Sequence, residues 1–114
     1  MSMRYASITM AKSYDQSDCP VAKTLDLVGE RWTILLIRDL LLRGARKFQD
    51  FQESLPGLAP NTLSARLKAL EANGLVKRQL YSEYPPRVEY ALTDKGKSLG
   101  PVVRALRDWG TRNT

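Results

Sequence analysis

The spacing of apolar residues changes twice along this chain, from helical to strand-like and back to helical, and these changes limit the folds that the chain can adopt. Between Pro20 and Asn73, apolar side chains recur every three or four residues, which is typical of helices packed along one face. Beyond Gly74 the period becomes two, and the runs Val76–Tyr81 and Val88–Leu92 alternate as strands do. The chain has 114 residues, enough for one domain. The sequence therefore predicts one mainly helical domain with a single β-hairpin.

Turn-forming residues divide the helical part into four segments. The breaks fall at Gly29, at Gly44, at the Pro56-Gly57 dipeptide and at Gly74. A short helix over residues 47–55 and a helix that starts at Pro60 flank the Pro-Gly turn and together make a helix-turn-helix. The hairpin that follows is the predicted wing, whose connection over residues 82–86 is stiffened by Pro85 and Pro86. We therefore expect a fold that is mainly α with a small β-hairpin wing (α+β), a winged helix-turn-helix.

The segment after the hairpin predicts a last helix with an apolar stripe that lacks a partner. Thr93 and Asp94 can cap its start, and the Gly100-Pro101 pair predicts a kink or a restart within it. The stripe comprises Leu99, Val102, Leu106 and Trp109 at helical spacing. Because so small a domain offers no obvious surface to cover this stripe, we expect it to pack against a second copy of the chain in a homodimer.

The positive charge of the chain is concentrated where the helix-turn-helix and the wing are predicted. The full chain carries 18 basic and 12 acidic residues, a net charge of +6. Residues 1–42 have no net charge, whereas residues 43–93 and 94–114 each carry +3. A basic surface confined to part of a domain favours a polyanion, because each neutralised phosphate releases counterions. Double-stranded DNA is the expected partner; the alternative is a protein-interaction module without DNA binding, which Glu83 and Glu89 near the wing would support.

The scarcity of reactive residues disfavours several classes of function. The chain has no histidine and one cysteine, so imidazole catalysis, an internal disulfide and a Cys-rich zinc site are excluded. We therefore expect no enzyme, no metal site and no cofactor. The apolar run from Trp32 to Leu42 is interrupted by Arg38 and Asp39 and is too short to span a bilayer, so no membrane partner is expected. With no recognisable signal peptide, we expect a cytoplasmic protein with a flexible arm at residues 1–17 and a domain at 18–112.

Ordered blocks of residues in this sequence resemble one family of regulators. The blocks are Cys19-Pro20-Val21, Gly29-Glu30-Arg31-Trp32-Thr33, Arg46-Lys47-Phe48, Leu63–Glu71, Gly74-Leu75-Val76 and Pro85–Tyr90. Together they resemble the HxlR family of bacterial transcription regulators, from about Cys19 to Gly110. The resemblance implies a dimeric winged-helix DNA-binding protein, distantly similar to the MarR type, whose terminal helices form the dimer contact. It identifies neither the operator, nor the controlled gene, nor a small-molecule effector.

The helix that begins at Pro60 is the predicted recognition helix of such a regulator. Its candidate DNA-contacting residues are Asn61, Thr62, Ser64, Ala65, Arg66 and Lys68. Asn61 could pair with adenine and Arg66 with guanine, each worth about 1–3 kcal/mol of discrimination, whereas Thr62 and Ser64 suit phosphate contacts. The alternative is an ordinary surface helix with Asn61 as a local cap. A two-fold dimer would present two such helices to a pseudo-palindromic operator with half-sites about one DNA turn apart.

Basic residues outside that helix are candidate contacts to the rest of the DNA. Arg87 follows the Pro-Pro turn, where a cation can enter the minor groove and respond to its width. Lys77 and Arg78 on the neighbouring strand, and Arg46 and Lys47 before the first motif helix, are candidate phosphate contacts. The alternative for each is a solvated surface charge.

Cys19 is the residue whose chemistry suggests a switch. A helix amino terminus favours the thiolate form, whereas Asp18 opposes it, so a half-buried small hydrophobe is the alternative. The resemblance implies more, since some relatives use the cysteine before this proline to sense oxidants, quinones or other electrophiles. Certain relatives also have a second cysteine near the end of the first motif helix, where this chain has Leu55. A two-cysteine bridge is therefore excluded, which leaves alkylation, a mixed disulfide or a Cys19–Cys19 link between subunits.

Overall fold

The computed structural model describes residues 18–114, which form six helices and one hairpin. The helices are α1 (Pro20–Val28), α2 (Arg31–Arg43), α3 (Phe48–Ser54), α4 (Pro60–Ala72), α5 (Asp94–Lys97) and α6 (Gly100–Asn113), and the strands are β1 (Val76–Glu83) and β2 (Pro86–Leu92). This order confirms the predicted winged helix-turn-helix, with α3 and α4 as the motif and β1 and β2 as the wing. The arm predicted for residues 1–17 lies outside the described residues. No helix within residues 18–114 has the length and apolar character needed to cross a membrane.

The Gly29-Glu30 pair determines the junction between α1 and α2. A Cβ atom on Gly29 would lie 2.4 Å from the carbonyl oxygen of Leu25, so the chain passes too close to α1 for any side chain at this position. Glu30 is the N-cap of α2, and its Oε1 accepts hydrogen bonds from the backbone N–H groups of Trp32 (2.8 Å) and Thr33 (3.2 Å). These bonds satisfy two N–H groups that helix geometry leaves unpaired. One of the blocks that carries the family resemblance is therefore a helix start.

The core lies between α2, α4 and the base of the hairpin. Its largest fully buried side chains are Phe51, Leu36, Ile37, Leu63, Leu67, Leu70, Leu75 and Val76. Leu63, Leu67 and Leu70 are at most 2% exposed, which confirms the single apolar face predicted for α4. Burying a leucine side chain contributes about 1.5–3 kcal/mol, so these three residues hold α4 against the domain. The opposite face of α4 is consequently turned toward solvent.

The wing has longer strands and a shorter turn than the sequence predicts. β1 and β2 pair in antiparallel orientation, and the last pair before the turn is Glu83 opposite Pro86. Only Tyr84 and Pro85 connect the strands, whereas the sequence predicts a connection over residues 82–86. The prediction is wrong on this point because a proline is tolerated at the first residue of a strand, which is where Pro86 lies.

The loop between α2 and α3 attaches the wing to the helix-turn-helix. Arg46 forms an isolated antiparallel bridge with Tyr90 of β2, in which each backbone N–H donates to the other residue's carbonyl oxygen (2.9 and 2.7 Å). The ring of Tyr90 also contacts Phe51 of α3, with 6.4 Å between the ring centroids. A single bridge leaves no alternating pattern in a sequence, so the sequence does not predict this contact. It fixes the position of the wing relative to the motif.

The last helix predicted from the sequence is divided into α5 and α6. Thr93 caps α5 as predicted, since its side chain accepts a hydrogen bond from the N–H of Gly96 (3.1 Å). The chain leaves α5 after Lys97, and α6 begins at Gly100 with Pro101 in its first turn. Pro101 has no N–H group with which to continue α5, but its fixed φ suits the first turn of a new helix. The sequence predicts either a kink or a restart at this point, and the structure shows that a new helix starts at Gly100.

Candidate nucleic-acid interface

Helix α4 presents its polar side chains on one accessible surface. Asn61, Ala65 and Lys68 are exposed, and Thr62, Ser64 and Arg66 lie partly buried beside them. Within residues 18–114, neither Arg66 nor Lys68 forms an ion pair, so both positive charges are available to an external anion. The structure therefore brings together all six candidate residues of α4.

The amino terminus of α4 adds backbone donors to this surface. Its N-cap is Ala59, whose methyl side chain cannot accept a hydrogen bond, and Pro60 follows in the first turn. The first bond of the helix runs from the N–H of Leu63 to the carbonyl oxygen of Ala59 (2.9 Å), so the N–H groups of Asn61 and Thr62 have no partner within the helix. Asn61 is therefore not the cap. Unpaired N–H groups at the positive end of a helix are suited to a phosphate oxygen.

The two basic residues of β1 lie on opposite faces of the wing. Arg78 pairs with Tyr90, whose ring contacts α3, whereas Lys77 pairs with Ala91 on the other face. The side chains of Lys77 and Arg78 are both exposed. Lys77 lines a groove that also includes Lys97, beside the end of α2. The structure thus separates two residues that the sequence predicts as neighbouring phosphate contacts.

The tip of the wing carries a cation and an aromatic ring. Arg87 is exposed and pairs with Ser82, next to the turn. Tyr84 belongs to the turn itself and is 91% exposed. Tyr84 is not among the contacts predicted from the sequence, although a tyrosine directly before Pro85 in a predicted loop could have indicated it. The tip therefore offers both a charged and an aromatic contact.

The two basic residues before α3 have different environments. Arg46 is partly buried, its Nη2 donates to the carbonyl oxygen of Asp50 (3.1 Å), and its buried Nε has no hydrogen-bond partner among residues 18–114. Lys47 is exposed, and its Nζ lies 4.7 Å from the centroid of the Tyr81 ring in the wing. Arg46 therefore holds the loop against α3, whereas Lys47 lies on the surface where the motif meets the wing.

A buried hydrogen bond joins α2 to the first helix of the motif. Asp39 is 3% exposed, and its Oδ2 accepts a hydrogen bond from the Oγ of Ser54 at the end of α3. Its Oδ1 lies 3.5 Å from Nη2 of Arg38. In the sequence, these two charges are recognisable only as an interruption of an apolar run. Because a buried carboxylate is costly unless paired, this contact couples the position of α3 to α2.

The apolar stripe predicted for the last helix is exposed at three of its four residues. Val102, Leu106 and Trp109 on α6 are 40%, 53% and 63% exposed. Leu99 differs, because it precedes the restart at Gly100 and packs, partly buried, against the core of its own domain. The exposed part of the stripe is therefore a face of α6 alone.

Helix α1 also leaves most of its apolar face uncovered. Val21, Leu25 and Val28 recur at helical spacing, but only Val28 is buried, whereas Val21 and Leu25 are each 57% exposed. Helical apolar spacing normally indicates a buried face. The two helices at the ends of the described chain, α1 and α6, thus both expose apolar side chains.

Cys19 lies at the start of α1, as the sequence predicts. It is the N-cap residue and is partly buried, and its carbonyl oxygen accepts the first hydrogen bond of the helix, from the N–H of Lys23 (2.9 Å). Leu55, at the position where certain relatives have a second cysteine, is 5% exposed and belongs to the core. A cysteine side chain at this helix end is close to the positive end of the helix dipole.

Comparison with known proteins agrees with this geometry. Residues 27–114 match the family model described as HxlR-like helix-turn-helix. The HTH-type transcriptional regulator YdeP of Bacillus subtilis (strain 168) is 37% identical over 100 residues, which cover 88% of this chain and 77% of YdeP. The oxidized form of the redox regulator HypR has a TM-score of 0.77 at 38% identity, with 84% of this chain and 98% of HypR covered. The quinone-bound form of YodB from B. subtilis has a TM-score of 0.70 at 34% identity, with 82% and 99% covered.

These similarities extend over most of the chain and confirm the resemblance seen in the sequence blocks. The relatives are transcriptional regulators rather than enzymes, which agrees with the function class expected from the composition. This chain belongs to the HxlR-like helix-turn-helix family of transcriptional regulators.

Proposed function

We propose that this protein is a homodimeric transcriptional repressor that binds a pseudo-palindromic site in double-stranded DNA. The observation that carries the proposal is the exposed face of α4, where Asn61, Arg66 and Lys68 lie beside two backbone N–H groups unpaired within the helix. An α-helix fits the major groove, and residues near its amino terminus reach base edges. Asn61 reads adenine and Arg66 reads guanine, each contributing about 1–3 kcal/mol of discrimination. A regulator of this kind binds chromosomal DNA, and we therefore propose a cytoplasmic location.

The remaining polar residues of the interface position the protein on the DNA backbone. Thr62 and Ser64 donate to phosphates beside the major groove, and Arg87 enters the minor groove from the wing tip. Positive charge at Lys47, Lys77 and Arg78 strengthens binding without selecting a sequence, because each contact to a phosphate releases counterions. Arg46 contributes chiefly by holding its loop in place, since its side chain is turned toward α3.

The dimer forms through the exposed apolar faces of α1 and α6. Val102, Leu106 and Trp109 of α6 lose their contact with water in the dimer, together with Val21 and Leu25 of α1. A two-fold dimer presents its two α4 helices to half-sites about 34–36 Å apart. Bound over a promoter, a dimer of this kind excludes the polymerase, and repression follows.

Cys19 is the proposed signal-sensing residue of this repressor. The similarity to the redox regulator HypR and to a quinone-bound form of YodB supports this assignment. Cys19 lies at the start of α1, and α1 also carries part of the proposed dimer face. Modification of Cys19 would therefore change the packing of a helix on which the spacing of the two recognition helices depends.

The alternative function, a protein-interaction module without DNA binding, has less support. It relies on Glu83 and Glu89 near the wing. Glu89 accepts a hydrogen bond from Nε2 of Gln79 (2.7 Å) within the hairpin, so it stabilises the wing itself. Glu83 then remains as the acidic residue near the tip, where it pairs with Pro86.

Titration of labelled DNA tests the proposed function. An operator is first selected from randomised duplex DNA by the wild-type protein, and its affinity is then measured at several salt concentrations. We expect log K to fall linearly with log salt, and Arg66→Ala to weaken operator binding about tenfold to a hundredfold. Arg112→Ala removes the same charge outside the interface and is the matched control. Salt-independent binding, or equal affinities of the Arg66→Ala and Arg112→Ala variants, would contradict the proposal.

A further inference from the structure

A groove between α2 and α6 combines an apolar floor with a basic rim. Its volume is about 320 Å³, within the range of pockets that hold small molecules. Leu41, Leu42 and Val103 form the apolar lining, and Leu42 is 73% exposed. The groove is separate from α4 and the wing tip. Its lining residues include none of the candidate DNA contacts, so DNA binding does not explain them.

The rim of this groove consists of three guanidinium groups. They belong to Arg38, Arg104 and Arg107, and none of the residues that line the groove is acidic. Arg38 is 3.5 Å from a carboxylate oxygen of Asp39, and Arg107 is paired with Asp108 at 3.1 Å on the solvent side. Within residues 18–114, the side chain of Arg104 has neither a hydrogen bond nor an ion pair. Positive charge is therefore concentrated at the groove without matching negative charge among the lining residues.

The groove lies on a different face of α6 from the exposed apolar stripe. Val103, Arg104 and Arg107 follow the helical period and face α2, whereas the stripe of Val102, Leu106 and Trp109 lies on the other side of the helix. A partner subunit packed on the stripe therefore contacts a different side of α6 from the side that lines the groove. At the end of the groove, a Cβ atom on Gly100 would lie 3.4 Å from Nη1 of Arg104, so Arg104 lies close across the start of the helix.

We propose that this groove binds a small amphipathic carboxylate, a molecule with one acidic group and an apolar body. The carboxylate is held by Arg104 and Arg107, because guanidinium groups match carboxylate geometry with two parallel hydrogen bonds. The apolar body covers Leu41, Leu42 and Val103 and removes their surface from water. A nucleic-acid phosphate could also bind the arginines, but it would leave the apolar floor exposed to water. The apolar floor therefore favours a ligand with a hydrocarbon group.

A bound carboxylate has a direct route to the helix-turn-helix. Arg38 on the rim contacts Asp39, and the second oxygen of Asp39 accepts the hydrogen bond from Ser54 of α3. A carboxylate held by Arg104 and Arg107 also attracts Arg38 on the same rim, which weakens the contact of Arg38 with Asp39 and alters the restraint on α3. This regulatory consequence rests on the proposed DNA-binding function, whereas binding in the groove does not.

Isothermal titration calorimetry of the 114-residue chain with octanoate tests the site. Octanamide is the matched ligand without a charge, and Arg104→Met and Arg107→Met are the test variants. Arg112→Met, on the same helix but outside the groove, is the control. We expect the wild type and Arg112→Met to bind octanoate alike, and each test variant to bind about tenfold more weakly, as expected for loss of a charged hydrogen bond. Octanamide should also bind the wild type at least about tenfold more weakly than octanoate.

Three results would overturn the proposal. They are no octanoate binding up to about 10 mM, equal binding of octanoate and octanamide, and equal loss of binding in Arg104→Met and Arg112→Met. Thermal unfolding of each variant establishes that it is folded before titration; Arg104, Arg107 and Arg112 are all exposed. The titration contains no DNA, so a failure to bind octanoate would not contradict the proposed DNA-binding function. A failure to bind the operator would likewise not contradict the proposed carboxylate site.

Discussion

Residues that are adjacent in this sequence have different roles in the structure. Lys77 and Arg78 lie on opposite faces of the wing, because successive side chains of a strand alternate. Arg46 and Lys47 also differ, because the side chain of Arg46 is held against α3 whereas that of Lys47 is exposed. A count of charge along the sequence treats these neighbouring residues as equivalent, whereas the backbone conformation places their side chains in different environments.

Replacement of Cys19 tests the proposed sensor at the residue scale. Treatment with a quinone should abolish operator binding by the wild type, because the Sγ thiolate adds to a C=C bond of the quinone ring. The new C–S bond replaces the π bond, and proton uptake from water gives a hydroquinone thioether. Cys19→Ser should bind the operator as the wild type does before treatment and keep that affinity afterwards. Mass spectrometry of the intact chain should detect one adduct in the wild type. An equal loss of binding in Cys19→Ser would refute a sensing role for this residue.

At the scale of elements, the contact between α5 and the start of β1 has no room for a side chain. A Cβ atom on Gly96 would lie 2.1 Å from the carbonyl oxygen of Leu75 and 2.8 Å from Cδ2 of Leu92. Since the nearer atom belongs to the backbone, Gly96→Ala has to move α5 away from the hairpin. We expect the free energy of unfolding to fall by about 1–3 kcal/mol, measured as a lower Tm or a lower denaturation midpoint.

Gly110→Ala on α6 is the matched control for this substitution. No atom lies within 4 Å of a Cβ built on Gly110, and alanine favours the helix by up to about 1 kcal/mol over glycine. This variant should therefore be as stable as the wild type or more stable. Equal stability of Gly96→Ala and the wild type would show that α5 can shift without cost.

The helices of the motif show how far a sequence pattern predicts a site. The apolar period predicts which side of α4 is buried, and its outward residues follow from that period alone. The separate environments of Arg46 and Lys47, and the bond from Ser54 to Asp39, cannot be predicted in this way. They depend on which elements meet in the folded chain, and residues 39 and 54 belong to different helices.

At the scale of the whole molecule, the exposed stripe of α6 is expected to hold two chains together. Leu106→Gln places an amide on that stripe, and burying an amide without a hydrogen bond opposes association. Sedimentation equilibrium should change from the mass of a dimer toward that of one chain, 12.9 kDa. Operator affinity should fall as well, because a monomer contacts one half-site.

Thr111→Gln on the opposite side of α6 is the control for the dimer. Thr111 is exposed and does not belong to the stripe of Val102, Leu106 and Trp109, so its replacement should leave the mass unchanged. A dimer that survives Leu106→Gln with unchanged affinity would contradict assembly through this face.

The sequence by itself determines the order of the elements, the buried face of α4 and the class of protein. These properties are local, since hydrophobic period, turn residues and ordered blocks are all read along the chain. The tertiary structure alone decides that Lys77 and Arg78 are separated, that Leu99 belongs to the core, and that Arg38 and Arg104 border one groove. The reason is physical: which side chains become neighbours depends on how helices and strands pack, and packing joins positions that no period in the sequence relates.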